Sequence, residues 1–328
     1  MIELRNRALL APMSGITDLP FRRLVHRMGA GLVIAEMVAS KMLAGEHKQT
    51  LQRVMGSAEI SPYVIQISGR DPVETAEAAK VAADLGADMI DINMGCPARK
   101  VIKGLAGSAL MKQPDLALSI IKSVVTAVEV PVSLKMRLGW DETLLNAADI
   151  AIRAEQAGIQ MFTVHGRTRN QFYKGRADWI AIRKVVKAVD VPVIANGDIL
   201  TFSDVETCLK QSGANGVMVG RGAQGRPWIV GEFGKRMATK IAPPPPSIPA
   251  KKEIILKHYE DVLSFYGNEL GLRNARKHLG WYVDDLFANQ QSSRSWRSRL
   301  CRDDNLENVK KMIGQMFVEL EDDQEAAA

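Results

Sequence analysis

Through the first three quarters of the chain, short runs of β-branched and other apolar residues alternate with longer segments whose apolar positions recur every three or four residues. The short runs read as strands and the longer ones as amphipathic helices, since strand side chains alternate faces while a helix returns to one face about every 3.6 residues. Eight runs qualify, ALLAPM, LVIAEM, YVIQIS, MIDINMG, VPVSLKMR, MFTVHG, VPVIANGD and GVMVGRG, each followed by an amphipathic segment. Internal echoes reinforce the pattern. LGADMIDINMG, AGIQMFTVHG and SGANGVMVG each run from a helix-ending glycine into a strand, and AVEVPVSLK matches AVDVPVIAN. Repetition of one βα module predicts an α/β fold, a closed (β/α)8 TIM barrel. A doubly wound open sheet is the alternative that alternation by itself leaves open.

The pattern stops at PPPPSIP, whose fixed φ and missing donors favour an extended connector. Beyond it KKEIILKHYEDVLSFYG, LRNARKHLGWYVDDL, SSRSWRSRLC and NLENVKKMIGQMFVELE all carry helical periodicity. The expected organisation is a barrel over residues 1–242, a proline-rich linker over 243–250 and a small helical bundle over 251–328, with the acidic EDDQEAAA tail frayed.

Composition narrows the class. The chain has 328 residues, 46% of them hydrophobic, and no apolar run approaches the roughly 18 residues that span a bilayer. The first residues, MIELRNRALLAPM, carry no secretion-signal pattern, so a soluble, cytoplasmic protein is expected, with no membrane partner, and a monomer. Three isolated cysteines give neither a disulfide framework nor a metal-ligand spacing, and no metal is expected; Cys208 and Cys301 sit in helix-like sequence and read as packing residues. A net charge of +6 permits a polyanionic partner without requiring one.

In such barrels the active site forms at the C-terminal strand ends, and polar groups collect there. Period two puts Asp91, Asn93 and Gly95 on one face of IDINMG, and Ser133, Lys135 and Arg137 on one face of VSLKMR, with Gln66, His165 and Asn196 completing a ring. A structural barrel layer favours branched apolar residues, and an inward lysine without a partner is costly, so the ring points to function; pairing of Lys135 with a core carboxylate is the structural alternative. Gly197, Gly220, Gly222 and Gly225 follow the last two strands with Arg221 and Arg226 nearby, where barrels hold phosphate. GRGAQG also fits a dinucleotide fingerprint, but the acidic residue required about 20 positions later would fall at APPPP, so a monophosphate such as flavin mononucleotide (FMN) fits better.

APMSGITDLPFR, DINMGCPARKV, AGSALM, LKMRLGW, HGRTR, IANGDI, GRGAQGRPWI and RNARKHLGWY, in that order, resemble the tRNA-dihydrouridine synthases, closest to the bacterial B-type branch, over nearly the whole chain. One departure is Gly222, where the family more often has alanine, and its expected effect is on loop flexibility alone. The resemblance implies that Pro12, Met13, Ser14, Gln66, Lys135, His165, Asn196, Gly197, Asp198, Gly220 and Arg221 bind FMN, and that Cys96 is the catalytic acid. It further implies that Asn93 and Lys135, with Arg137 and Arg167, face the substrate, and that NADPH reduces the flavin before tRNA enters.

The chemistry agrees. Reducing the uracil C5=C6 bond needs a hydride at C6 and a proton at C5, and a thiol, with an ordinary pKa of about 8.5, is protonated at neutral pH. Cys96, fixed between Gly95 and Pro97 after the fourth strand candidate, suits that donor; a small buried hydrophobe is its alternative. A tRNA uridine must be extruded to reach a barrel mouth, and the bundle offers a grip: Arg273, Arg276 and Lys277 share a helical face, and Arg294, Arg297, Arg299 and Arg302 surround Trp296. The second cluster reads equally as a solvated basic face. Two other functions fit parts of the pattern: a small-molecule FMN oxidoreductase of the dihydroorotate dehydrogenase type, which has little use for a basic bundle, and a non-catalytic RNA-binding regulator, against which the intact ring argues.

Overall fold

The computed structural model describes residues 4–287 and 289–327. Nine strands, β1 (Ala8–Leu10), β2 (Leu32–Val33), β3 (Val38–Ala39), β4 (Val64–Ser68), β5 (Met89–Met94), β6 (Val132–Arg137), β7 (Met161–His165), β8 (Val193–Asn196) and β9 (Gly216–Val219), form one parallel sheet in the order β2-β1-β9-β8-β7-β6-β5-β4-β3. The sheet closes on itself, because Ile34 bridges Val64 in parallel and the Ala35 amide donates to the Val64 carbonyl at 3.0 Å. It is a TIM barrel, and the open-sheet alternative is excluded.

The second barrel position differs from expectation. LVIAEM reads as one continuous strand, yet pairing with β1 ends at Val33 and pairing with β4 resumes at Val38. Glu36 lies in the gap, 4% exposed, and its Oε2 accepts the Gly15 N–H at 2.9 Å. A carboxylate that deep must be partnered, and turning it onto the β1 loop breaks the ladder.

Alternation sorts the barrel interior from its outer shell. Ile65, Ile67, Ile90, Ile92, Leu134, Met136, Phe162, Val164, Val193 and Ala195 belong to the large cluster packed against the surrounding helices. Leu9, Ala11, Leu32, Ile34, Val64, Met89, Met161, Ile194 and Met218 form a second cluster that plugs the interior. One step further along the same strands, in period two, stand Gln66, Asp91, Asn93, Ser133, Lys135, Thr163, His165 and Asn196. The interior is therefore apolar below and polar above. Side-chain caps start several outer helices: Asp71 accepts the Glu74 N–H before Pro72–Asp84, and a Thr201–Asp204 capping box opens Phe202–Ser212.

Four further helices, Ile248–Tyr266, Asn268–Leu286, Gln290–Arg302 and Leu306–Ala327, enclose their own apolar cluster around Tyr259, Leu279, Tyr282, Leu300, Ile313 and Phe317. The first begins inside the stretch the sequence marks as linker, with Ser247 capping the Ala250 N–H and Pro249 in the first turn, where a missing N–H costs nothing. Of the acidic tail's side chains, only Glu321 is among those described. The bundle docks on the barrel helix Leu19–Arg27: the Phe21 ring lies 5.6 Å from that of His258 and 5.1 Å from that of His278, and Arg27 pairs with Asp261 at 3.0 Å. On the other side Arg226 pairs with Asp285 at 3.4 Å, and Gly225 packs so closely that a Cβ there would collide with the Trp281 carbonyl oxygen.

Candidate active site

At the C-terminal ends of the strands the interior opens into a cavity of about 660 Å³. The structure brings Pro12, Met13, Ser14, Gln66, Asn93, Cys96, Lys135, Arg137, His165, Asn196, Gly197, Asp198, Gly220 and Arg221 onto its wall. Arg167, Arg273, Arg276 and Lys277, also singled out from the sequence, are not on it.

The polar groups are wired to one another. Ser133 Oγ and Gln66 Nε2 each donate to Asp91 at 2.6 Å, Asn93 Nδ2 donates to Gln66 Oε1 at 2.8 Å, and Asn93 Oδ1 accepts the Gly95 and Cys96 N–H groups at 3.3 and 3.0 Å. Cys96 itself is half-buried, and its carbonyl takes the Ser108 N–H and hydroxyl at 3.1 and 2.8 Å, so its peptide is held on both sides. Lys135 stands in register with Asn93 and donates to Asn196 Oδ1 at 3.2 Å, while Asn196 Nδ2 donates to the Met218 carbonyl at 2.7 Å. Burial lowers the Lys135 ammonium to about 8, opposed by the carboxylate of Asp91. Burial and the surrounding cations Arg137, Lys135 and Arg167 hold His165 well below the usual imidazole range, so its ring is neutral.

The two arginines expected at the substrate are both hydrogen-bonded within the protein. Arg137, at the end of β6, donates from Nε to the Gly95 carbonyl at 2.7 Å and from Nη1 to those of Thr168 and Phe172 at 2.8 and 2.9 Å, tying the loops after β5 and β7 together at the mouth. Burial lowers it to about 10. Arg167, 1% exposed, pairs with Asp198 at 2.5 Å and donates to the Lys174 and Gly175 carbonyls at 3.1 and 2.6 Å. Its Nη1 lies 3.3 Å from His165 Nε2, and because a guanidinium only donates, that nitrogen is the unprotonated one. Arg167 therefore braces wall residues from behind the cavity, its guanidinium committed to the Asp198 carboxylate, two loop carbonyls and His165 at the end of β7.

Arg221 is 55% exposed with Asp198 at 3.3 Å. Gly197 (φ +118°) needs the glycine backbone. A Cβ on Gly222 would collide with the Ile199 carbonyl oxygen, so this glycine answers a close backbone approach rather than loop flexibility. In the bundle, Arg273 is exposed, Arg276 is paired with Asp304 at 2.5 Å, and Lys277 turns back towards the charges of Asp18 and Glu36. Trp296 is 2% exposed with Nε1 on Glu319 at 3.0 Å, so it packs rather than stacks on a ligand.

Sequence reasoning missed Phe172 and Tyr173. Both line the mouth, 43% and 47% exposed, with the Arg137 and Arg221 guanidiniums 5.7 and 5.3 Å from the Tyr173 ring. Two adjacent aromatics inside the polar loop TRNQFYKGR were the signal available.

Among the described residues no helix is long and apolar enough to cross a membrane, and no cluster of possible metal ligands occurs. The family model described as "Dihydrouridine synthase (Dus)" matches residues 9–318. A "Probable tRNA-dihydrouridine synthase" from Rhizobium leguminosarum bv. phaseoli is 54% identical over 283 residues, covering 86% of this chain and 87% of that protein. The "tRNA-dihydrouridine synthase B" of Proteus vulgaris is 45% identical over 296 residues, 90% of this chain and 92% of its own. Among solved structures, a morphinone reductase mutant in complex with tetrahydroNAD superposes with a TM-score of 0.52 at 13% identity, over 76% of this chain and 91% of that one, which is a likeness of fold.

Proposed function

The chain belongs to the dihydrouridine synthase family, and from that premise we propose that it is an FMN-dependent, NADPH-driven oxidoreductase that reduces the C5=C6 bond of a D-loop uridine in tRNA. The observation that carries the reading is the placement of the Cys96 loop on the wall of a polar cavity, beside Asn93 and Lys135.

The cavity suits the cofactor. Its volume of about 660 Å³ is that of a site for a ligand of flavin size. The Gly220–Gly222 turn, with main-chain amides and the Arg221 guanidinium, suits a phosphate at the end of β9, and Pro12–Ser14, Gln66, Lys135, His165 and Asn196–Asp198 supply the remaining wall. Bound and reduced by NADPH, FMN supplies the hydride that goes to C6.

The polypeptide does the rest. The Cys96 thiol gives its proton to C5, where negative charge develops. Asn93 and Lys135 offer N–H donors to a uracil carbonyl oxygen, which takes up part of that charge. Neutral His165 has only its Nδ1 proton to donate, and Arg167 keeps it so oriented. The basic residues of the bundle, Arg273 foremost, meet tRNA phosphates while the uridine is extruded into the mouth. The protein would act as a monomer, where tRNA is found, in the cytoplasm.

The test is anaerobic mixing of prereduced, flavin-loaded protein with unmodified tRNA, followed by mass mapping of the product. Flavin reoxidation together with a two-hydrogen mass gain at a D-loop uridine is expected. Reoxidation by orotate-like unsaturated small molecules with none by tRNA would replace this reading.

A further inference from the structure

Asp91 is buried in the middle of the barrel, at 1% exposure; it does not line the cavity itself but meets the wall residue Gln66 directly. Its surroundings nevertheless fix which way each amide of the site points. At the far end the Gly95 and Cys96 N–H groups are main-chain donors and cannot be reversed. Both meet Asn93, so the Asn93 atom facing them is Oδ1, at 3.3 and 3.0 Å. Nδ2 is then left to face Gln66, whose Oε1 accepts it at 2.8 Å. Gln66 in turn points Nε2 at Asp91, and the oxygen receiving it at 2.6 Å must be an acceptor. The other oxygen accepts from Ser133 Oγ at 2.6 Å. A carboxylate is the side chain of this size that accepts at both ends. The direction of the whole chain, from the Cys96 loop inward, closes consistently on it.

Asp91 and Lys135 share the inward face of neighbouring strands: Asp91 is in register with Ser133, and Lys135 stands two residues further on, in register with Asn93. Four titratable groups surround that ammonium: Asp91 and Cys96 favour its charge, Arg137 on its own strand opposes it, and His165 on β7 feels it in return. Burial pushes the Asp91 carboxyl up, while its bonds to Ser133 and Gln66 and the Lys135 charge pull it down.

We propose that Asp91 is a positioning residue: by accepting from both Gln66 and Ser133 it closes the hydrogen-bond chain that holds the Cys96 loop, and its carboxylate is the counter-charge for Lys135 on the same inward face of the barrel. Asn93 then has one N–H left, and Asn93 and Lys135 reach the cavity as donors only, which matches a ligand carbonyl oxygen. The roles of Cys96 and Lys135 towards uracil rest on the proposed function; the positioning does not.

Both halves are tested on the full chain without flavin or tRNA, so they stand or fall independently of the reaction. Alkylation of Cys96 by iodoacetamide, followed by peptide mass, reads the loop. Competitive acetylation of Lys135 by acetic anhydride across pH reads its titration. Asp91→Leu leaves Gln66 and Ser133 without an acceptor, and Cys96 alkylation should rise roughly tenfold. Asp91→Asn retains an acceptor for Gln66 and turns its amide towards Ser133, so alkylation should stay within about twofold of the parent. Its Lys135 midpoint should fall by about one pH unit, because the opposing charge is gone. A folded Asp91→Leu protein alkylated at the parental rate overturns the positioning. If that variant does not fold, the Asn variant decides: a Lys135 midpoint equal to the parent's overturns the proposal, and the expected shift sustains it.

Discussion

At the barrel mouth Gln66, Asp91, Asn93 and Ser133 are hydrogen-bonded to one another at 2.6 to 2.8 Å and Lys135 to Asn196 at 3.2 Å, whereas at the seam between barrel and bundle the equally buried His258 and His278 each leave Nε2 without a partner among the described residues. His258 Nδ1 meets only the Tyr282 hydroxyl at 2.8 Å, and the rest of both rings contacts aromatic faces. The mouth thus stabilises charge inside the protein; the seam expels it. Burial lowers His258 to about 4 and holds His278 well below the usual range. On the proposed function the mouth would meet developing charge without rearranging, whereas the seam holds only while its imidazoles stay neutral.

The largest expected effect falls on the mouth. Cys96→Ala should stay yellow and accept electrons from NADPH at the parental rate, while dihydrouridine formation drops by roughly 10²- to 10⁴-fold, the scale of losing a general acid. Stopped-flow reoxidation of the reduced variant by tRNA measures this, and a parental rate returns Cys96 to the packing residues.

Acid should break the seam. A histidine whose folded pKa lies below its unfolded value of about 6.5 contributes stability above that value, and loses it as pH falls towards the folded one. For His258 the window runs from about 6.5 to about 4, and the loss amounts to roughly 3 kcal/mol, with His278 adding to it. Asp18, raised by burial to about 6, acts in the opposite sense and regains stability over the lower part of that window. Chemical denaturation of the parent and of His258→Gln at pH 7 and pH 4.5 should show the parent losing more stability on acidification than the variant; equal losses in the two would contradict the neutral pair.

A smaller effect is expected at the phosphate turn. Arg221 is over half exposed and shared with Asp198, so Arg221→Ala should weaken flavin binding by roughly tenfold rather than abolish it. Equilibrium dialysis against FMN gives the value, and full retention would put the phosphate elsewhere.

The smallest contrast lies within the bundle. Arg273 is exposed and forms no ion pair among the described residues, whereas Arg297 is paired with Asp284. Arg273→Ala should reduce the slope of log affinity for tRNA against log salt by about one, and Arg297→Ala should leave it nearly unchanged. Identical slopes would remove Arg273 from the grip.

The mouth was far more legible in the sequence than the seam, and the reason is periodicity. Strand alternation by itself assigns Asp91 and Asn93, or Ser133 and Lys135, to one face, and barrel closure then gathers those faces. Arg167 shares the neighbourhood of His165 in sequence, but its partners at 174, 175 and 198 come from loops, which carry no period. The break within LVIAEM escaped for a related reason: apolar composition says strand, and only the Gly15 amide explains why Glu36 leaves it. Phe21, His258 and His278 meet across more than 230 positions, and nothing local marks them as neighbours.

The contact at Gly225 gives the molecule a fixed gauge. There the loop after β9 rests on the main chain at Trp281, with no room for even a methyl group between them. Repacking side chains cannot lengthen such a stop by degrees, so the reach from cavity floor to bundle surface is machined once into the backbone. For the proposed tRNA substrate, held on the bundle and probed at the cavity, that fixed spacing would work as a caliper.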